Sequence, residues 1–172
     1  MTPTQKEIDR FVDAAGYGRF DQVVDFINKY PQAINAQCIY GNTALLFSAF
    51  MGERAVVQCL LDRGADVNAR GEDGDTPLMA AATLGGVPIV RLLLEQGADT
   101  ALKDANGKTA RMLAAVSKRD GAQAIVALID EYADKNTGAA RENKAQHKAA
   151  VNRDVLRRRK PASPFPKKKG PF

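Results

Sequence analysis

An all-α solenoid of about four stacked helix-turn-helix units, followed by a basic and partly disordered tail, is the fold class this sequence predicts. Three observations predict it. Gly41-Asn42-Thr43-Ala44-Leu45 recurs as Gly74-Asp75-Thr76-Pro77-Leu78 and as Gly107-Lys108-Thr109-Ala110-Arg111, at the same shift each time. Gly64-Ala65-Asp66-Val67-Asn68 recurs at that shift as Gly97-Ala98-Asp99-Thr100-Ala101. The apolar blocks 56–61 and 89–94 keep the register too. Self-similarity at one such period marks stacked supersecondary units, each too small to bury its own apolar face.

The elements of one unit follow in order. Thr76-Pro77-Leu78 is a helix start, with a hydroxyl cap and then proline at the first helical position, where no amide bond is lost. Residues 79–84 make a short helix whose alanines at 80, 81 and 82 permit close packing. Gly85-Gly86 breaks it. A second helix spans 87–95, with Ile89, Val90, Leu92 and Leu93 as its apolar stripe. Gly97 supplies the left-handed position that ends it. A polar stretch, 99–108, leads through a turn into the next unit.

Four units are expected within a domain at 7–135. The first, 7–40, is a degenerate cap, and 41–73 and 74–106 are the most regular. In the fourth, 107–135, Tyr132-Ala133-Asp134 stands for Gly-Ala-Asp two residues late, which implies an insertion around 117–121.

A helix-turn-helix-turn unit of about 33 residues with Thr76-Pro77-Leu78-Met79-Ala80-Ala81 resembles the ankyrin repeat and its T-P-L-H-x-A signature. The sequence departs from that family in two respects: Ala44 and Ala110 replace its proline in the second and fourth units, and its histidine is missing from every unit. Leu46, Met79 and Met112 occupy the family's histidine position, and the chain's one histidine, His147, lies in the tail. Apolar packing is therefore expected to hold the inner helices. Burying a Leu or Met side chain contributes on the order of 1.5–3 kcal/mol.

The resemblance implies a non-enzymatic protein-protein interaction module: an adaptor, inhibitor or regulator that binds a protein through its concave face. That face consists of the turn tips and the exposed side of each inner helix. Carried over by position, it takes Tyr17 from the first unit, and Gln37, Ile39, Tyr40, Asn42, Phe50 and Met51 from the second. The third contributes Arg70, Glu72, Asp73, Asp75, Thr83 and Leu84; the fourth contributes Lys103, Asn106, Lys108, Val116 and Ser117. Clustered aromatic and Met side chains are what interface cores favour. Phe50 and Met51 end an inner helix, so core filling and partner binding stand as equal readings for them. Glu72, Asp73 and Asp75 form an acidic turn tip, read either as solvated or as a dock for a basic partner.

Charge divides the chain. Of 25 Lys+Arg and 20 Asp+Glu, residues 136–172 hold 11 and 2, a net +9, leaving 1–135 at −4. Residues 136–160 are a candidate polar helix, and 161–172 are expected to be a disordered, Pro-rich basic tail. Arg157, Arg158, Arg159, Lys160, Lys167, Lys168 and Lys169 carry its charge. The alternative function rests on this tail: nonspecific contact with nucleic acid or an anionic membrane surface, or targeting, including that of a bacterial secreted effector, with the repeats as scaffold. A solubilising tail without a partner is the plainest reading. Sparse aromatics argue against stacked bases.

Other classes are set aside. No phosphate loop or Cys/His metal spacing occurs, and a catalytic pair would need His147, outside the repeats. No catalytic residue, metal or cofactor is expected. No stretch approaches the roughly 18–20 apolar residues of a membrane span, and no secretory signal opens the chain. Two cysteines, Cys38 and Cys59, suit a reducing compartment. A cytoplasmic monomer is expected, with nuclear entry or export as alternatives.

Overall fold

The computed structural model describes residues 2–136, with side chains through Asp134. Among these residues the regular structure is helical: α1 (Gln5–Gly16), α2 (Phe20–Lys29), α3 (Ala44–Met51), α4 (Arg54–Asp62), α5 (Pro77–Leu84), α6 (Val87–Glu95), α7 (Ala110–Val116) and α8 (Ala122–Asn136). A single 3-10 turn, Pro31–Ala33, follows α2. No helix among the described residues is long and apolar enough to cross a membrane.

The inner helices begin alike because their sequences do. Thr43, Thr76 and Thr109 stand in extended backbone and accept from the amides of Leu46, Met79 and Met112 at 3.2, 3.4 and 3.3 Å. The helices α3 and α5 are eight residues long, too short to persist alone in water. Packing supplies what length does not. Helices α1, α3, α5 and α7 stack successively as an inner layer, with α2, α4 and α6 behind it. Sandwiched on several sides, α5 buries all of residues 77–82. The outer helix α6 buries one stripe, Ile89, Val90, Leu92, Leu93 and Leu94. The buried side chains form a continuous core running from Phe11 to Ile129.

Both ends depart from the regular pattern. Helix α1 starts at Gln5, ahead of the expected 7. It carries a capping box in which the Glu7 amide donates to the Thr4 hydroxyl and the Glu7 carboxylate accepts from the Thr4 amide. Behind it Phe11 stacks on Phe26 at 4.1 Å, and Phe26 meets Tyr30 at 5.2 Å.

At the other end, the loop between α7 and α8 is longer than the sequence implied. Gly121 (φ 87°) takes the place of Gly85 (φ 86°), three positions beyond where the period would set it. Ile125, Leu128 and Ile129 are buried at the places of Ile89, Leu92 and Leu93. The insertion is therefore three residues, not two. Tyr132-Ala133-Asp134 misleads because α8 does not end there: with no glycine to turn the chain, it continues to Asn136.

The missing histidine is answered as expected in two units and not in the third. Leu46 and Met79 are 4% and 2% exposed, whereas Met112 is 51% exposed. Among the described residues no further inner helix stacks on α7 to cover Met112. At the same end an ion pair stands where other units are apolar. Arg111 holds the register of the buried Leu45 and Leu78, and its guanidinium donates to both oxygens of Asp130 at 2.6 and 2.9 Å.

Candidate protein-binding surface

The second, third and fourth units are each entered through a turn closed by its own backbone. The amides of Cys38, Gly71 and Asp104 donate to the carbonyls of Asn42, Asp75 and Lys108 at 2.9–3.0 Å, one such closure per unit. The tips are also tied to one another. Gln5 donates to the Gln37 carbonyl (3.1 Å), Gln37 to the Arg70 carbonyl (2.8 Å), and Arg70 to the Lys103 carbonyl (2.7 Å). The Ala105 amide donates to the Asp73 carbonyl at 2.8 Å. A second ladder runs below, where Asn35 and Asn68 accept from the amides of Asp66 and Asp99, both at 2.8 Å. The tips thus form a fixed edge rather than loose loops.

This edge presents residues in register. Ile39 and Tyr40 project at 64% and 70% exposure. The Ile39 amide is held by the Asp9 carboxylate at 3.0 Å. One unit further, the same positions are Glu72 and Asp73, both exposed. Gly41 lets the tips close up: a side chain there would stand 2.8 Å from Glu72 Cβ and 3.1 Å from its backbone. Asp75 is half-buried. Burial pushes its carboxyl above the usual range, against a stabilising bond from its own amide, and the charges of Asp73 and Asp104 push it the same way.

A second apolar group lies at the far end of the inner helices. Tyr17 meets Phe47 edge-on at 6.1 Å, with the Arg19 guanidinium 5.7 Å from the Tyr17 ring centre. A β-carbon at Gly16 would collide with the edge of the Phe47 ring, so glycine is what lets that ring lie against α1. Phe50 and Met51 are 47% and 41% exposed, so they are not core. Phe47 and Phe50, three apart on α3, continue one side of the helix. Leu84, half-buried, reaches over Gly52 from the next unit, within 3.3 Å of where a side chain would stand.

The expected surface therefore divides in two: a tip patch of Ile39 and Tyr40, and a helix-end stripe of Tyr17, Phe47, Phe50, Met51 and Leu84. About seven helical residues, roughly 10 Å, separate them along α3. Asn42 is half-buried beside the Gly71 turn. Arg70, expected to face a partner, is exposed, and its guanidinium links the tips by donating to the Gly74 and Lys103 carbonyls. Lys103 and Lys108 are exposed at the last tip. Gln37 is likewise a ladder residue. Thr83 and Ser117 bond to each other, the Ser117 hydroxyl donating to the Thr83 carbonyl at 3.4 Å. Val116 is 72% exposed. The tail residues Arg157, Arg158, Arg159, Lys160, Lys167, Lys168 and Lys169 lie outside the described residues, as do the candidate helix and the Pro-rich end.

Phe47 is not among the residues expected on this surface. Its signal was available: the same position is Ala80 and Leu113 in later units, so the aromatic ring is local to the second. The Asn35–Asn68 ladder was likewise legible only as a recurrence at the repeat period, since nothing local marks an asparagine as an inter-unit acceptor.

A protein-family model described as ankyrin repeats (3 copies) matches residues 11–104 and 69–139.

Proposed function

The chain belongs to the ankyrin-repeat family, and from that premise we propose that it is an adaptor, inhibitor or regulator that captures a protein on its turn tips and inner-helix flank. Ankyrin repeats are protein-protein interaction modules, and the family is typically non-enzymatic. The observation that carries the reading is the exposure of Tyr17, Ile39, Tyr40, Phe50 and Met51 on a face whose backbone is hydrogen-bonded unit to unit. Large apolar side chains on a rigid frame lose little conformational freedom when covered, so burying them favours association. A double variant, Tyr40→Ala with Phe50→Ala, is expected to weaken capture of the protein partner by roughly 10-fold or more. Its helical circular dichroism should be unchanged. Affinity purification with mass spectrometry identifies the wild-type partner; undiminished capture by the double variant would overturn the reading.

The charge of 136–172, +9, favours a second reading in which the tail contacts an anionic partner. Removing 157–172 separates the two. Tail-borne binding should disappear on deletion and should fall steeply with salt beforehand, whereas capture by the repeats should persist.

A further inference from the structure

We propose that the turn-tip edge selects a partner segment with a large apolar side chain close to a lysine or arginine, the apolar group seating on Ile39 and Tyr40 and the cation on Glu72 and Asp73. The proposal rests on the reading of this face as partner-binding, and it states what the partner must offer.

Three features carry it. The first is juxtaposition. Ile39 and Tyr40 stand at 64% and 70% exposure, and Glu72 and Asp73 hold the same two positions one unit on. Gly41 brings the two tips into contact, with Glu72 against it. Packed units repeat at about 8–10 Å. An apolar and a basic residue three or four apart on a helix, or two apart in an extended strand, span that distance with their side chains.

The second is charge left open. Among the described residues, none of Glu72, Asp73 and Asp75 takes part in an ion pair, unlike Glu7 with Lys29 or Asp130 with Arg111. Arg70, the cation nearest in sequence, is bonded to backbone carbonyls. Asp75, raised first by burial and then by Asp73 and Asp104, reports like charges crowded at this tip. An incoming cation relieves that repulsion, whereas a phosphate backbone would add to it, so a nucleic acid is disfavoured at this tip.

The third is rigidity. The Ile39 amide is fixed by Asp9, and the Asp73 carbonyl by the Ala105 amide. Apolar seat and acidic seat are held at one spacing before anything binds, which favours selection by spacing over simple charge attraction.

The test is a random peptide library displayed on phage and panned against the full chain, against Glu72→Gln with Asp73→Asn, and against Tyr40→Ala. Expected binders combine a large apolar residue with Lys or Arg at the spacings given. The enriched peptides, remade and measured by fluorescence anisotropy, should bind the double acid variant roughly 2- to 30-fold more weakly, the range for two exposed ion pairs. Tyr40→Ala should weaken them by roughly 10-fold. Binders that lack basic residues, or that bind the acid variant as well as the wild type, overturn the proposal. If such binders still depend on Tyr40 or Phe50, the broader reading of the face survives. If they depend on neither, both fall.

Discussion

Glu7 ties three residues together through one carboxylate. It accepts from the Thr4 amide at 2.9 Å, the Thr4 hydroxyl at 3.0 Å, the Tyr30 hydroxyl at 2.8 Å and Lys29 at 3.2 Å. The Thr4 amide leads in holding its pKa down to about 2, followed by Tyr30, the Thr4 hydroxyl and Lys29, while burial acts weakly the other way. A carboxyl lowered in the fold stabilises above its unfolded value of 4.5 and loses that contribution as pH falls through the folded value. The melting temperature of the wild type should therefore fall more steeply than that of Glu7→Gln between about pH 5 and about pH 2. Parallel profiles, measured by circular dichroism, would count against the link. The capping pair Thr4 and Glu7 stands at the three-residue spacing that a sequence can announce. The bonds to Lys29 and Tyr30, 22 and 23 residues on, have no such local mark.

At the scale of elements, the helices were legible and their mutual fit was not. Thr43, Thr76 and Thr109 announce helix starts because a cap is a local interaction, and glycines announce helix ends for the same reason. What one helix needs from the next lies a full unit away in the chain and depends on shape. Gly16 and Phe47 show this. Gly16→Val is expected to destabilise by roughly 1–3 kcal/mol, since the added atoms must displace a ring that is already packed. Adding Phe47→Ala should recover much of that loss, and chemical denaturation of the four members of the cycle measures it. A double variant no more stable than Gly16→Val would mean that the ring is not the obstacle. Asn68 makes the same point in polar form. Asn68→Ala removes the acceptor for the Asp99 amide and should cost about 0.5–1.5 kcal/mol, with faster amide exchange at Asp99. The last rung position holds Ala101, so the ladder stops where the regular units stop.

Taken whole, the described array is most regular in its middle. Its last helix pair substitutes an exposed Arg111–Asp130 pair for apolar packing and leaves Met112 half in water. An exposed pair is screened by water and contributes less than the buried Leu contacts it stands for. Period and helix order could be read from the sequence because they are properties of each unit. The insertion was read as two residues rather than three because Tyr132-Ala133-Asp134 looks like a unit ending although α8 runs on through it. The candidate face was read as one surface, and its exposed apolar residues lie in two groups, since sequence gives positions along a helix but not the gap between its ends.

The Gly16–Phe47 fit also means that these modules carry an address. The second unit can follow only a neighbour that leaves a hollow at the Gly16 place, and there the second and third units carry Phe50 and Thr83. A chain with the second and third units exchanged would leave a void beneath Ala80 and force Phe47 onto Thr83. Modules that look interchangeable by period are thus written in a single permitted order, and shuffling them would scramble the assembly before it touched any binding residue.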